Sequence, residues 1–253
     1  MKLSRYLLIV WLAIAAGDVL GAEKKAMPPP EPSFQGDRAA VELAEGMFDA
    51  VGGKPAWAAL RALYIKAEHT EPQIPAPYQS EIWRGIDEFE LRIDQGNDSF
   101  HALARVNAQG GTVTYLDDRD STRVLSTEEL VEWKFEHDHN VYVVLHRLGK
   151  HPAAFRVVLE ETVRLTFYED DQLLAAFRLD DQLRPHLFYQ PTRDGGLVVS
   201  EFSRWGTHDG LTHSAGGGPL DGNFHYTTLE WQPSDRSFSE TYSFAEDSTP
   251  GES

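Results

Sequence analysis

The C-terminal half of the chain alternates apolar and polar residues with a period of two, and this pattern most constrains the fold. Such alternation is typical of half-buried β-strands, and turn-forming clusters at residues 169–171, 180–181, 192–196 and 208–210 separate the segments that carry it. A further turn is expected at the three glycines of residues 216–218. Short strands joined by hairpin turns predict one antiparallel sheet, strongly curved or partly closed. The predicted strands cover residues 157–159, 163–167, 173–179, 187–189, 197–202, 224–231 and 238–244.

The N-terminal half combines helices with further strands. Apolar residues recur at helical spacing from Val41 to Val51 and predict an amphipathic helix that ends at Gly52. Pro55 is suited to the first turn of a second, shorter helix. The order of these elements predicts an α+β fold that is mostly antiparallel β. Further strands are predicted at residues 63–68, 80–86, 89–93, 100–106 and 112–116, and further helices from Ser126 onwards and over residues 140–148.

Residues 1–22 have the order of a secretory signal peptide. Lys2 and Arg5 precede an apolar run that ends at Ala16, and small residues follow around Gly21. The run is about half of the roughly 20 residues that a membrane-spanning helix needs. We therefore expect a periplasmic protein, exported through a cleaved signal peptide and without a stable membrane span.

The remainder of the chain is expected to contain one folded region. Residues 23–36 include four prolines and predict an extended linker. Residues 37–246 are expected to form a single β-rich domain, and residues 247–253 a flexible tail.

Composition excludes several functional classes. The chain has 40 acidic and 23 basic residues, a net charge of −17, whereas binding to a phosphate backbone needs clustered positive charge. Nucleic acid is therefore not a predicted partner. The chain has no cysteine, which excludes disulfides, thiolate catalysis and a lipid-modified N-terminal cysteine.

The densest group of possible metal ligands is a set of four histidines, His137, His139, His146 and His151. On a strand, His137 and His139 would share a face and could bind zinc or copper. On a helix, a spacing of two points them apart, and a solvated turn with incidental histidines is the third interpretation. The spacing to His146 and His151 matches no metal motif. We predict no metal site and no cofactor. If a metal ion were bound, His137 and His139 would be its candidate ligands.

No catalytic motif was found in the sequence. The chain lacks a nucleophile elbow, a serine three residues before a lysine after the signal peptide, and paired His-Glu motifs. No catalytic residue is therefore predicted.

Two segments carry a family resemblance. Residues 44–57 (AEGMFDAVGGKPAW) and residues 203–211 (SRWGTHDGL) resemble the LolA/LolB-like periplasmic lipoprotein-carrier superfamily. The resemblance implies a half-barrel sheet whose concave face is covered by helices at residues 37–51 and 127–149 and holds an acyl chain or another apolar ligand. The inward residues that alternation predicts for such a hollow are Ile82, Phe89, Leu91, Val163, Leu165, Phe167, Phe177 and Leu179.

Three functional hypotheses follow. The first is an exported carrier or binding protein for a lipid, an acyl chain or a lipidated partner, which could also be another envelope protein. The alternative is a metal-dependent or acid-base hydrolase of the envelope that uses the region from His137 to His151. The third is an interaction module that adds a partner's strand to an open sheet edge.

Overall fold

The computed structural model describes residues 33–116, 121–160 and 164–242. The expected signal peptide, most of the expected linker and the expected tail lie outside these ranges. The candidate ligand-binding residue Val163 also lies outside them.

Fourteen strands and five α-helices make up the described part of the chain. The helices are α1 (Arg38–Ala50), α2 (Lys54–Ala59), α3 (Thr127–Asp138), α4 (Val141–Lys150) and α5 (Phe238–Thr241), with a 3-10 turn at Pro152–Ala154. The strands are β1 (Gln35–Gly36), β2 (Ala62–Thr70), β3 (Tyr78–Gly85), β4 (Glu90–Asn97), β5 (Phe100–Asn107), β6 (Gly110–Tyr115), β7 (Ser121–Val124), β8 (Phe155–Glu160), β9 (Arg164–Glu169), β10 (Gln172–Leu179), β11 (Pro185–Pro191), β12 (Leu197–His208), β13 (Leu211–Pro219) and β14 (His225–Ser234).

All strands belong to one sheet built from two antiparallel meanders. Strands β2 to β7 form one meander and β8 to β14 the other, and the pairing of β14 with β2 joins them. Strand β1 pairs in parallel with β8, so that β1 and β7 are the two edges of the described sheet. The sheet is curved and not closed, which confirms the predicted α+β class with mostly antiparallel strands.

The connection from β7 to β8 explains why helices cover the sheet. Strand β7 is one edge of the sheet and β8 is next to the opposite edge strand, β1, so the chain has to cross the sheet between them. It crosses as the helical pair α3 and α4, while α2 packs against α4 and α1 against β8 and β9. Among the described residues, no helix has the length and hydrophobicity that crossing a membrane requires.

One face of the sheet, here called the inner face, packs against these helices. It carries Leu63 of β2 and Phe167 and Phe177 of the second meander, all with no exposed surface. Trp57 of α2 is equally buried, and its indole N–H donates a hydrogen bond to the carbonyl of Val51 at 3.0 Å. Fully burying a side chain of this size contributes about 2–3 kcal/mol or more. The bond satisfies the polar atom that such burial would otherwise leave unpaired.

Two local predictions were wrong. The strand predicted over residues 238–244 begins as helix α5, because Ser237 and Glu240 form a capping box that starts a helix. The turn predicted at residues 216–218 is part of strand β13, because the glycines admit close approach of the paired strands. A Cβ atom on Gly217 would clash with the carbonyl oxygen of Glu201.

The folded region begins before the expected boundary at Asp37. Phe34 is 6% exposed and packs between Phe48 and Phe167, with ring centroids 5.9 and 5.4 Å apart. The aromatic side chain anchors the end of the proline-rich segment, a contact that composition alone does not reveal.

Candidate functional site

A cleft of about 540 Å³ lies where the C-terminal ends of α3 and α4 approach the turns after β3 and β5. This volume is within the range of small-molecule sites, about 300–1,000 Å³. The cleft has an apolar side and a charged side, and we call it the helix-end cleft. It is lined by Ile86, Asp87, Phe89, Ala108, Lys134, His137, Asp138, Val143, His146, Arg147, Lys150 and His151.

Three of the four histidines from the sequence cluster meet in this cleft. His137 lies in the last turn of α3, His146 lies on α4, and His151 follows α4. His137 and His146 are 3% and 2% exposed, so the interpretation as a solvated turn is wrong for these two.

His137 is held in one tautomer by an arginine. The guanidinium Nη1 of Arg84 lies 3.3 Å from Nδ1 of His137, and because arginine only donates hydrogen bonds, Nδ1 is the acceptor. The ring proton is therefore on Nε2. Burial, together with the positive charges of Arg84 and Lys134, lowers the pKa of His137 to about 3. The imidazole is neutral at physiological pH.

His146 is held in the opposite tautomer. Its Nδ1 lies 3.0 Å from the carbonyl oxygen of Trp57, so Nδ1 carries the proton and donates a hydrogen bond to this oxygen. Burial lowers the pKa of His146 as well. Its Nε2 is left as an acceptor, whereas Nε2 of His137 is a donor. The cleft therefore contains two neutral imidazoles of complementary hydrogen-bonding character.

Arg84 itself is an unusual residue for the inner face of a sheet. It pairs with Leu63 of β2 and with Leu91 of β4, both buried. The side chain is half-buried, and loss of hydration lowers the pKa of Arg84 to about 10, although the nearby carboxylate of Glu136 opposes this shift. The guanidinium stays charged at neutral pH.

His139 does not join the other histidines in the cleft. It follows the last residue of α3, and its Nδ1 lies 2.8 Å from the carbonyl oxygen of Phe135. Because His137 and His139 are two residues apart at a helix end, their rings do not share a face. Within the described residues, no group of three or more histidine, aspartate or glutamate side chains is placed to hold a metal ion.

The predicted hollow residues of the second meander lie in a packed core. Leu165, Phe167 and Phe177 have no exposed surface, and Leu179 is partly buried against the same cluster. Consecutive aromatic rings along this part of the inner face are 5.2 to 6.3 Å apart, in the order Phe34, Phe167, Phe177, Phe188 and Phe202. Such spacing is that of packed aromatic pairs, so these side chains fill the inner face.

An enclosed cavity next to this aromatic core is small. It lies among Trp57, Tyr142, Phe202 and His213 and has a volume of about 10 Å³, room for about one water molecule. It does not have the size of an acyl chain.

The candidates in the first meander have different surroundings. Leu91 is 5% exposed and Ile82 is partly buried against the core. Phe89 is half-buried, lines the helix-end cleft, and contacts His137 with ring centroids 5.2 Å apart. Of the described ligand-binding candidates, Phe89 is the one that lines this cleft.

Sequence reasoning did not single out Arg84. The sequence contains a signal for this residue, because Arg84 occupies an inward position between Ile82 and Ile86 in a period-two pattern. A charged residue at such a position needs a buried partner, and the histidine cluster supplied one.

Comparisons with known proteins show no family for this chain. No protein-family model matches it, and no curated protein matches it. The LolA/LolB-like resemblance therefore stays a prediction.

Two solved structures are similar at low identity. A DUF1329 family protein from Desulfovibrio piger is 10% identical over 75% of this chain and 91% of that protein, with a TM-score of 0.41. MucB is 11% identical over 83% of this chain and 64% of its own length, with a TM-score of 0.28, so the chain spans less than two thirds of MucB.

Proposed function

We propose that this protein is an exported, non-enzymatic binding protein for an apolar ligand such as a lipid or an acyl chain, and that the helix-end cleft is where the ligand enters. The observation that carries the proposal is the apolar side of the cleft. Ile86 and Val143 belong to the buried core and also line the cleft, and Phe89 lines it while half-buried. A ligand on this side continues the hydrophobic core outward.

Such contact is energetically sufficient for a carrier. Each methylene that leaves water contributes about 0.8 kcal/mol. Phe89 already offers apolar surface to an acyl segment, whereas Ile86 and Val143, 2% and 3% exposed, would offer theirs once the cleft widens. The rest of the inner face is filled by aromatic side chains and would not accept a ligand without rearrangement.

Helix α3 is the element whose displacement would enlarge the cleft at least cost. His137 is its one buried side chain, while Val131 is 47% exposed and Trp133 and Phe135 are only half-buried. A helix with few buried apolar contacts opens at low free energy. We therefore propose α3 as the movable cover of the ligand.

The hydrogen bonds of the two buried histidines favour a binding function of the cleft over a hydrolytic one. The two buried histidines are neutral and engaged through Nδ1 with Arg84 and with the carbonyl of Trp57. Neither receives a hydrogen bond from, or donates one to, a carboxylate in the described residues, as an activated acid-base pair requires.

The proposal is tested with an apolar fluorescent probe and the purified mature protein. We expect Phe89→Asp to weaken probe binding by about tenfold or more, since the substitution places a charge on the apolar side of the cleft. Leu197→Asp is the matched control, because Leu197 is an apolar side chain that is 48% exposed and does not line the cleft.

Native mass spectrometry of protein purified from the periplasm gives an independent measurement. A stoichiometric lipid or acyl species that is lost from Phe89→Asp supports the proposal. Equal probe affinities for the two variants and the unsubstituted protein, with no co-purified lipid, would contradict it.

A further inference from the structure

The charged side of the helix-end cleft has an excess of basic residues within an acidic chain. Lys134, Arg147 and Lys150 line the cleft together with two carboxylates, Asp87 and Asp138. The whole chain carries a net charge of −17. A local excess of positive charge against this background marks a place where an anion is attracted rather than repelled.

Most of these charges already have ionic partners. Lys134 pairs with Asp138 at 2.5 Å, and Arg147 pairs with Glu169 at 2.5 Å. Asp87 accepts a hydrogen bond from Arg61 at 2.6 Å. These pairs cancel one another's charge and leave little to attract a ligand.

Lys150 differs from the other two cations. It is exposed at the end of α4 and makes no ion pair within the part of the chain that the structure describes. Its ammonium group acts on His146, where it helps burial to lower the pKa. Lys150 is therefore a free positive charge beside the buried histidines.

A hydrogen-bond donor lies in the same cleft. Because Nδ1 of His137 accepts from Arg84, the proton on Nε2 is available, and no described residue accepts it. The guanidinium of Arg84 behind the ring adds a second positive charge. Lys150 and the His137–Arg84 pair thus offer charge and a donor next to the apolar surface of Phe89.

We propose that the ligand of the helix-end cleft is an amphiphile with an anionic headgroup, a carboxylate or a phosphate, which Lys150 and the Nε2 proton of His137 bind while its apolar chain lies on Phe89. The inference rests on the proposed function and specifies its ligand class. A cation beside an apolar wall discriminates against a neutral amphiphile of equal chain length, because the neutral headgroup gains no charge-assisted hydrogen bond.

The test compares three probes of equal chain length, a straight-chain alcohol, a fatty acid and an alkyl phosphate, as competitors of the fluorescent probe. We expect the acid or the phosphate to bind about tenfold more tightly than the alcohol, and this advantage to shrink at high salt. Tighter binding of only one anion identifies the headgroup as a carboxylate or as a phosphate. We expect that inorganic phosphate alone displaces none of the three probes. If inorganic phosphate at equal concentration displaces the fatty acid and the alkyl phosphate, the ligand is a free anion and the proposal is overturned.

A charge-reversed variant assigns the effect to the cleft. We expect Lys150→Glu to weaken binding of the fatty acid and of the alkyl phosphate about tenfold, to the affinity of the alcohol. Arg38→Glu is the matched control, because Arg38 has a 90% exposed side chain and does not line the cleft. Circular dichroism and thermal unfolding check that both variants fold.

The outcomes separate the two proposals. Equal binding of the alcohol and the anions, unchanged by Lys150→Glu, overturns the anionic headgroup and leaves the apolar binding function in place. Binding of none of the three probes overturns both.

Discussion

Arg84 on the inner face of β3 donates a hydrogen bond to His137 at the end of α3, across 3.3 Å between Nη1 and Nδ1. His137 is the one buried side chain of α3, so this polar contact ties the helix to the sheet. It also determines which nitrogen of His137 carries the proton. One hydrogen bond therefore links the position of the proposed cover helix to the chemistry of the cleft.

The low pKa of His137 predicts a loss of stability in mild acid. The unfolded chain takes up the proton near pH 6.5, whereas the folded protein does so only near pH 3. The contribution of His137 is therefore complete above about pH 6.5 and is lost as the pH falls towards 3. We expect His137→Gln to make the free energy of unfolding less dependent on pH between these values, by at most about 1.4 kcal/mol per pH unit.

Chemical denaturation at a series of pH values measures this slope. The control is His101→Gln, since His101 is exposed and pairs with Asp94 on the surface. An unchanged slope for His137→Gln would contradict the buried neutral state.

Removal of the arginine charge is expected to raise the pKa of His137. Burial and the charge of Arg84 both lower this pKa, with burial the larger cause. In Arg84→Met the charge is gone and burial remains, so the pKa should rise and stay below 6.5. Titration of the His137 ring by NMR measures it, and an unaltered pKa would place Arg84 too far from the ring to act on it.

The capping box at the start of α3 predicts a local effect. The Ser126 hydroxyl accepts from the Glu129 backbone N–H, and the Glu129 carboxylate accepts from the Ser126 backbone N–H at 2.8 Å. Ser126→Ala should destabilise α3 by about 1 kcal/mol and increase the rate of amide hydrogen exchange in α3 about fivefold.

Asn140→Ala is the matched control for the cap. Asn140 caps α4, whose side chains are mostly buried, so its loss should lower global stability without selectively opening α3. If Ser126→Ala leaves the hydrogen-exchange rates in α3 unchanged, the capping box does not stabilise α3.

The aromatic core predicts a large loss of stability on truncation of Phe177, one of the candidate ligand-binding residues. Phe177 has no exposed surface and contacts Phe167 and Phe188. Phe177→Ala should lower the free energy of unfolding by about 3–5 kcal/mol, whereas Asp181→Ala in the neighbouring turn should change it by less than about 0.5 kcal/mol. A small cost at Phe177, measured by urea unfolding, would indicate a loosely filled hollow instead of a packed core.

The arrangement of the histidines predicts weak zinc binding. In the described residues, no group of three or more histidine, aspartate or glutamate side chains is placed to hold a metal ion. In addition, Nδ1 of His137 accepts from Arg84, so its Nε2 carries the proton and has no lone pair for a metal. We expect calorimetric titration with Zn²⁺ to show no stoichiometric site, and His137→Ala and His139→Ala to leave the titration unchanged. Stoichiometric binding that either variant abolishes would favour the hydrolase hypothesis.

The sequence by itself determined the class of fold and most of its elements. Period-two alternation specifies strands because successive side chains point to opposite faces, and turn clusters such as residues 208–210 specify where each strand ends. Asp209 and Gly210 have positive φ angles, as a tight hairpin requires. The amphipathic helix before Gly52 could be predicted for the same local reason.

Only the tertiary structure decided which inward residues fill the core and which line a cleft. Phe89 and Phe177 follow the same alternation, yet one lies beside α3 and the other among aromatic rings, because the crossing of α3 and α4 brings distant segments together. The pairing of Arg84 with His137 has the same origin, since 53 residues separate them. Periodicity tells which face a side chain occupies, whereas what it meets on that face depends on long-range packing.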